Sequence, residues 1–209
     1  MDDLIEKYNE ISQKIKEQRM NMYNYYSSLS EKKDDFLNHV EFENGAQPPK
    51  EMHIYEPKDG YVRFIQNRDY DSNNYLTYIP ISKKNHLCKE NDIMMDKYGD
   101  AGAVRYGIAG AYNVALLKII PTKNNEVEYI RDFLSQDTVK NVLYQSSQAS
   151  TRPSLNESTF KGISMPTLSD SLLNQYQNKL SQLLTYELII KEKINLLCSN
   201  KEQLLEKYF

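Results

Sequence analysis

Residues 167–209 read TLSDSLLNQYQNKLSQLLTYELIIKEKINLLCSNKEQLLEKYF, a stretch with neither glycine nor proline. Apolar residues recur there at Leu173, Tyr176, Leu180, Leu183, Ile190, Ile194, Leu197, Leu204 and Tyr208, with Glu187 and Lys201 as polar exceptions. Three-four spacing sustained over several heptads predicts a long helix with a narrow coiled-coil seam rather than a broad globular face. Such a helix would be on the order of 60 Å long.

Residues 1–44 have the same character. They lack glycine and proline and place Leu4, Tyr8, Ile11, Ile15, Met22, Tyr25, Leu29 and Phe36 on a heptad rhythm, with Gln18, Lys32 and His39 interrupting the seam. Neither stripe can be buried by the middle segment alone, so each needs the other or a partner. The simplest arrangement is an antiparallel pair that brings Met1 and Phe209 together. All seven glycines and all seven prolines lie between Gly45 and Pro166. This partition predicts a helix at 1–44, a domain at 45–166 and a second helix at 167–209.

The middle segment reads as short β-rich runs at 61–65, 75–79, 93–95, 103–106 and 114–120, separated by turn signals such as Lys58-Asp59-Gly60 and Asp71-Ser72-Asn73-Asn74. From Glu126 to about Gln145, Val127, Ile130, Leu134, Val142 and Leu143 suggest one or two amphipathic helices. The fold class is therefore α+β, a small mixed-sheet or barrel-like domain flanked by two long helices that form an antiparallel coiled coil.

Bulk properties exclude more than they select. A net charge of −3 and a pI near 5.7 give no global basic field, which counts against a stand-alone nucleic-acid binder but not against a subunit whose partners are cationic. Two cysteines, Cys88 and Cys198, offer no disulfide framework or metal spacing and fit a reducing cytoplasm. The acidic start Met1-Asp2-Asp3-Leu4 is no secretory signal, and the most apolar run, Val114 to Pro121, is short and broken by Lys118, so no membrane span is expected. Gly99, Gly102, Gly107 and Gly110 match no phosphate-loop pattern, and His39, His53 and His86 have no metal-like spacing. Gln47-Pro48-Pro49-Lys50 lacks the flanking residues of an amino-methyltransferase motif, and Glu192-Lys193 lies on the helical tail, away from any nuclease-like sheet. No catalytic residue, cofactor site or metal site is expected in the chain itself.

The order long helix, small α+β domain, long helix resembles the specificity subunits of type I restriction–modification systems. Residues 90–102, Glu90-Asn91-Asp92-Ile93-Met94-Met95-Asp96 through Gly99-Asp100-Ala101-Gly102, look like that family's Gly-Asp-apolar-apolar stretch with its following glycines, Asn91 standing in place of the usual Gly. Gly110-Ala111-Tyr112-Asn113-Val114-Ala115, Ser150-Thr151-Arg152-Pro153-Ser154-Leu155-Asn156 with Ile163-Ser164-Met165-Pro166, and Lys201 to Phe209 are similar to later elements of the family. Full-length members carry two target recognition domains, and this chain matches a half-length form with one.

That resemblance implies a non-catalytic DNA-reading subunit, with the central domain on one half of a bipartite duplex site. The helices would act as a ruler between half-sites and dock methyltransferase subunits, with a restriction or translocase subunit as a further partner. Those partners would use S-adenosylmethionine and ATP. A homodimer or a pairing with another half-subunit would complete the site.

Base reading needs donors and acceptors on loops or strand ends, next to cations that find phosphate. The candidates are Gln66, Asn67 and Arg68 after one strand, Lys97 and Tyr98 opening a glycine-rich loop, Arg105 and Tyr106 at a strand end, Asn113 at the next strand, and Gln148 and Arg152 in a polar stretch. Each also has a plainer reading as a solvated loop residue or turn former. On the helices, Tyr23, Tyr25 and Tyr26 read as seam packing ahead of a docking patch, and Lys14, Lys16, Arg19, Lys32 and Lys33 as a solvated face. The competing function is a coiled-coil adapter with a small protein-binding domain, favoured by the near-neutral balance of residues 50–165, 15 basic against 14 acidic.

Overall fold

The computed structural model describes residues 1–148 and 154–208. The chain forms two compact units, one of Met1–Ser30 with Leu168–Phe209 and one of Glu31–Thr167.

The first unit is a pair of helices, α1 (Asp2–Ser28) and α4 (Asp170–Tyr208). Their contacts run in opposite directions along the sequence. Asp2 meets Lys201 at 2.6 Å, Lys193 lies over the Tyr8 ring, Arg19 Nη1 donates to the Leu180 carbonyl at 3.4 Å, and Tyr26 packs edge-on against Tyr176. The pair is antiparallel. The buried and half-buried stripe of α1 is Ile5, Tyr8, Ser12, Ile15, Arg19, Met22 and Tyr26, joined by buried Tyr23.

One leg of the heptad therefore falls one residue later than the apolar pattern predicts. Leu4, Ile11, Tyr25 and Leu29 are exposed, at 44%, 43%, 62% and 43%. Polar Ser12 and Arg19 take the seam because an arginine stem packs like an aliphatic chain while its head finds a carbonyl. Arg19 thus belongs to the interior and not to the solvated face. On α4, Leu173, Tyr176, Leu180, Leu184 and Glu187 are buried, with Leu184 in place of the expected Leu183.

The expected first helix to residue 44 is also corrected: α1 ends at Ser28. Local hydroxyls and carboxylates compete with the helix ladder here. Ser27 and Ser28 bond back to the Asn24 and Tyr25 carbonyls, and Asp35 accepts from the Leu37 N–H to cap a short turn at Phe36–Asn38. The residues beyond are claimed by distant partners. Strand β1 (Lys33–Asp35) pairs antiparallel with β10 (Ser164–Pro166), and β2 (Val40–Asn44) pairs antiparallel with β9 (Leu116–Pro121).

In the second unit the remaining strands are β3 (Tyr61–Ile65), β4 (Tyr78–Pro80), β5 (Leu87–Cys88), β6 (Ile93–Asp96), β7 (Val104–Arg105) and β8 (Gly110–Tyr112). One sheet has the order β2-β9-β6-β7 and a second β4-β3-β8-β5, in which β3 and β8 are parallel. The mixed α+β expectation holds, with the strands divided between these sheets and the β1–β10 ribbon. Ile65, Tyr70, Cys88, Met94, Ile108, Tyr112 and Leu116 make one core cluster, and Phe64, Ile79 and Ala111 another. Phe36 stacks between Phe133 and Phe160 at 5.5 and 5.6 Å between ring centres.

Helices α2 (Val127–Leu134) and α3 (Asp137–Gln148) cover this core. Residues Glu128 to Leu134 of α2 are all buried. They include a full ion pair, Arg131 Nη1 to Glu128 at 2.6 and 2.7 Å. Arg131 Nη2 also donates to the Asn91 carbonyl, and its guanidinium lies over Tyr106.

Candidate functional site

Because β3 and β8 run parallel, Phe64 opposite Ala111 and Ile65 opposite Tyr112, their carboxyl ends finish side by side. The Asn113 N–H extends that pairing by donating to the Ile65 carbonyl at 3.0 Å. The end of β6 joins them, since the Lys97 N–H donates to the Ala115 carbonyl at 2.9 Å. The end of β2 arrives on the same edge, where the Ala46 N–H donates to the Tyr112 carbonyl at 3.1 Å. The Leu155 N–H then donates to the Lys97 carbonyl, which brings in the segment at 154–155. One edge of the second unit is thus built from loops at 44–46, 66–77, 97–103 and 113–115.

Gly45 makes this convergence possible. A Cβ there would stand 2.0 Å from the Asn113 carbonyl oxygen and 2.7 Å from that of Tyr112. Gly110, with φ +156° and a Cβ position 2.5 Å from the Arg63 carbonyl oxygen, allows β8 to lie against β3 in the same way.

The structure sorts the candidate residues into outward-facing and internal groups. Arg68 is exposed, its guanidinium over the exposed Tyr75 ring at 5.6 Å. Tyr98 is 43% exposed. Lys97 is half-buried and donates to Asn44 Oδ1 at 2.8 Å. Asn67 is half-buried, with its Oδ1 in the interior. Gln148 is exposed in the last turn of α3, a helix tied to the 97–103 loop by the Lys140–Asp100 ion pair at 2.8 Å. Arg152 lies outside the described residues.

Four candidates have partners within the fold. Arg105 grips Asp96 through Nε and Nη2, at 3.0 and 2.8 Å, and reaches Asp71 at 3.3 Å. Tyr106 is half-buried under the Arg131 guanidinium. Asn113 is buried at the end of β8 and closes a turn by accepting from the Ala115 N–H, so it does not begin a strand. Gln66 precedes a short turn at Asn67–Tyr70, its N–H donating to Asp69 Oδ2 and its side chain turned to Thr77.

Asn44, Asp71 and Tyr75 are the residues of this edge that sequence reasoning missed. The helical pattern of 1–44 hides Asn44, which ends β2, and the β-rich run at 75–79 hides Tyr75, since the strand begins only at Tyr78. For Tyr75 the adjoining Asp71-Ser72-Asn73-Asn74 turn was the available signal.

The Asp96–Arg105–Asp71 bridge sets the electrostatics. Burial pushes the Asp96 carboxyl above its ordinary 3.8, with Arg105 drawing it back part of the way. Burial also raises Asp69, against the Gln66 N–H and the charges of Arg63 and Arg68. For Arg105, burial opposes the cation, but the Asp96 hydrogen bond and charge prevail and hold it protonated. A carboxyl whose pKa is raised on folding binds its proton more tightly when folded. Its contribution is therefore full below the unfolded value and is lost as pH rises through the folded one. From these two groups, stability of residues 31–167 is expected to decline as pH climbs from about 4 upward. Asp96→Asn should flatten that part of a urea-midpoint profile against pH, and an unchanged profile would remove Asp96 from this role.

Among the described residues no helix is long and apolar enough to cross a membrane, and no group of His, Cys, Asp and Glu side chains could hold a metal ion.

Comparison with known proteins follows the same lines. The family model described as Type I restriction modification DNA specificity domain matches residues 38–197. A search of curated proteins finds no match. Among solved structures, the type I restriction-modification S subunit from M. genitalium is 16% identical with a TM-score of 0.65, covering 99% of this chain and 58% of that one. The HsdS subunit from Thermoanaerobacter tengcongensis is 10% identical with a TM-score of 0.53, covering 94% of this chain and 53% of that one. At these identities the likeness is one of fold. This chain spans just over half the length of either structure.

Proposed function

We infer the function of this chain from its kinship: it belongs to the family of type I restriction modification DNA specificity domains. That family supplies the non-catalytic, DNA-recognising component of type I restriction–modification complexes. For this chain the reading is a specificity subunit whose second unit reads one half of a bipartite duplex site. Its helix pair docks methyltransferase subunits and sets the separation of half-sites. Methyl transfer and cleavage reside on partners that use S-adenosylmethionine and ATP, among them a restriction subunit. A second copy, or another half-subunit, supplies the other half-site, and the complex works on DNA in the cytoplasm.

The observation that supports this reading best is the edge where the ends of β2, β3, β6 and β8 converge. It exposes Arg68, Tyr75 and Tyr98 on loops braced by a rigid sheet, all within the span that matches the family. Base-reading groups need such placement, since hydrogen bonds to base edges carry sequence only when their donors are held in register. The near-neutral charge of the chain fits a reader that gains its phosphate affinity from partners.

The test is a gel shift with the purified chain alone and with its methyltransferase. Sequence-dependent binding that resists nonspecific competitor is expected in the complex and not for the chain alone. Binding by neither would favour the adapter reading, and mass measurement of the complex counts the copies.

A further inference from the structure

We propose that Arg68, whose guanidinium lies over the Tyr75 ring, reads a guanine through its major-groove edge, so that the half-site contains one G whose identity depends on this pair. The proposal rests on the DNA-reading function above and gives it a specific base.

The surrounding cations narrow the choice. Lys97 is bonded to Asn44, Arg105 to Asp96 and Asp71, and Arg63 Nη2 to Asn73 Oδ1 at 2.9 Å. Lys118 is paired with Asp92 at 2.7 Å, and Lys140 with Asp100. Arg68 differs from all of these. Its one ion pair among the described residues is Nε to Asp69 Oδ1 at 3.9 Å, beyond hydrogen-bond reach. The guanidinium carbon lies over the Tyr75 ring, 5.6 Å from its centre, and Nη1 and Nη2 have no hydrogen-bond partner among the described residues. The terminal fork of a planar, always-charged donor is left facing outward.

The loop that carries Arg68 is braced along its length. The Gln66 N–H donates to Asp69, Arg63 holds Asn73, and Arg105 holds Asp71. Tyr75 restrains the guanidinium further, since the group lies over the ring and arginine interacts with aromatic faces in a way lysine does not. This gives a 68% exposed tyrosine a task. A side chain ordered before binding loses less entropy when it binds.

Guanine suits this fork better than the alternatives. Its O6 and N7 are paired acceptors at the spacing of two guanidinium N–H groups, whereas adenine offers a donor where O6 would be. A phosphate would meet the Asp69 carboxyl behind Arg68, whose side chain is 1% exposed and fixed in place. A neutral base edge meets no such opposition.

The experiment uses the chain assembled with its methyltransferase. Binding is measured to the cognate duplex and to duplexes in which each G of the half-site is replaced in turn by A or by 7-deazaguanine. At one position both replacements should weaken the parent complex by about 10- to 100-fold. Arg68→Ala and Arg68→Lys should abolish that discrimination and leave the other positions intact. Tyr75→Ala should reduce it about tenfold and Tyr75→Phe should keep it, with all four variants matching the parent in melting temperature.

Uniform weakening at every sequence with a shallower salt dependence in Arg68→Ala would mean a phosphate contact and would overturn the proposal. Unchanged site choice in Arg68→Ala would overturn it as well. If the parent complex shows no sequence dependence at all, the DNA-reading function fails first and takes this inference with it.

Discussion

Arg131→Met is expected to destabilise the second unit by about 3–5 kcal/mol, seen as a lower urea midpoint. Arg131 and Glu128 are 1% and 2% exposed at their side chains, and their ion pair is closed at 2.6 Å. Removing the cation takes the ion-pair partner at 2.6 Å from the Glu128 carboxylate in the interior, and breaking a buried pair from one side is among the costliest defects a fold can carry. The same substitution removes the donor to the Asn91 carbonyl and the cation above Tyr106. These contacts tie α2 to the segments on either side of β6 and β7. A coupled variant checks the cause. Arg131→Met with Glu128→Leu replaces both charges by apolar groups of similar reach and should recover most of the loss. If the single variant melts within 1 kcal/mol of the parent, this pair does not anchor α2.

Gly45→Ala is expected to cost about 3 kcal/mol, the upper end of what overpacking does. The added methyl would stand 2.0 Å from a backbone oxygen, that of Asn113, and the backbone cannot rotate aside as a side chain can. Either β2 must draw back from β8 or the turn at 113–115 must move, and both alter the edge that carries the candidate DNA contacts. Sequence-dependent binding should therefore fall further than stability alone explains. Gly60→Ala provides the contrast. Gly60 has φ +81° but nothing within 4 Å of a Cβ, so it carries only backbone strain, about 1 kcal/mol, with no effect on binding. Equal losses at the two sites would refute the close-approach account of Gly45.

Much of the architecture was legible because it follows from what interrupts a helix. Confinement of glycine and proline to 45–166 marked the helical flanks, and dense β-branched and aromatic runs marked β3, β6 and β9. The boundary at 44 failed for a physical reason. Nothing between Ser28 and Gly45 forbids a helix, and the chain leaves it because β1 and β2 find partners 73 to 133 residues away. The seam was misplaced by one residue on one leg because a hydrophobic count cannot foresee Arg19 entering an interior. Strands of two or three residues, such as β5 and β8, are too short for any alternation to register.

At the site, the strand-end positions of Gln66 to Arg68 and of Lys97 and Tyr98 could be read from turn chemistry. What each cation touches could not. Arg105 and Arg68 look alike in sequence, and only the fold shows that one is held by Asp96 and Asp71 while the other faces out.

The β1–β10 ribbon carries a last consequence. Lys33 lies opposite Pro166, and the Thr167 N–H donates to the Lys32 carbonyl at 3.0 Å, so the polypeptide enters and leaves the second unit at adjacent points. A module whose two ends lie side by side can be grafted between two neighbouring splice points. Residues 31–167 are in that sense a cartridge. Exchanging them for the equivalent span of another chain places both splice points on one short two-stranded ribbon.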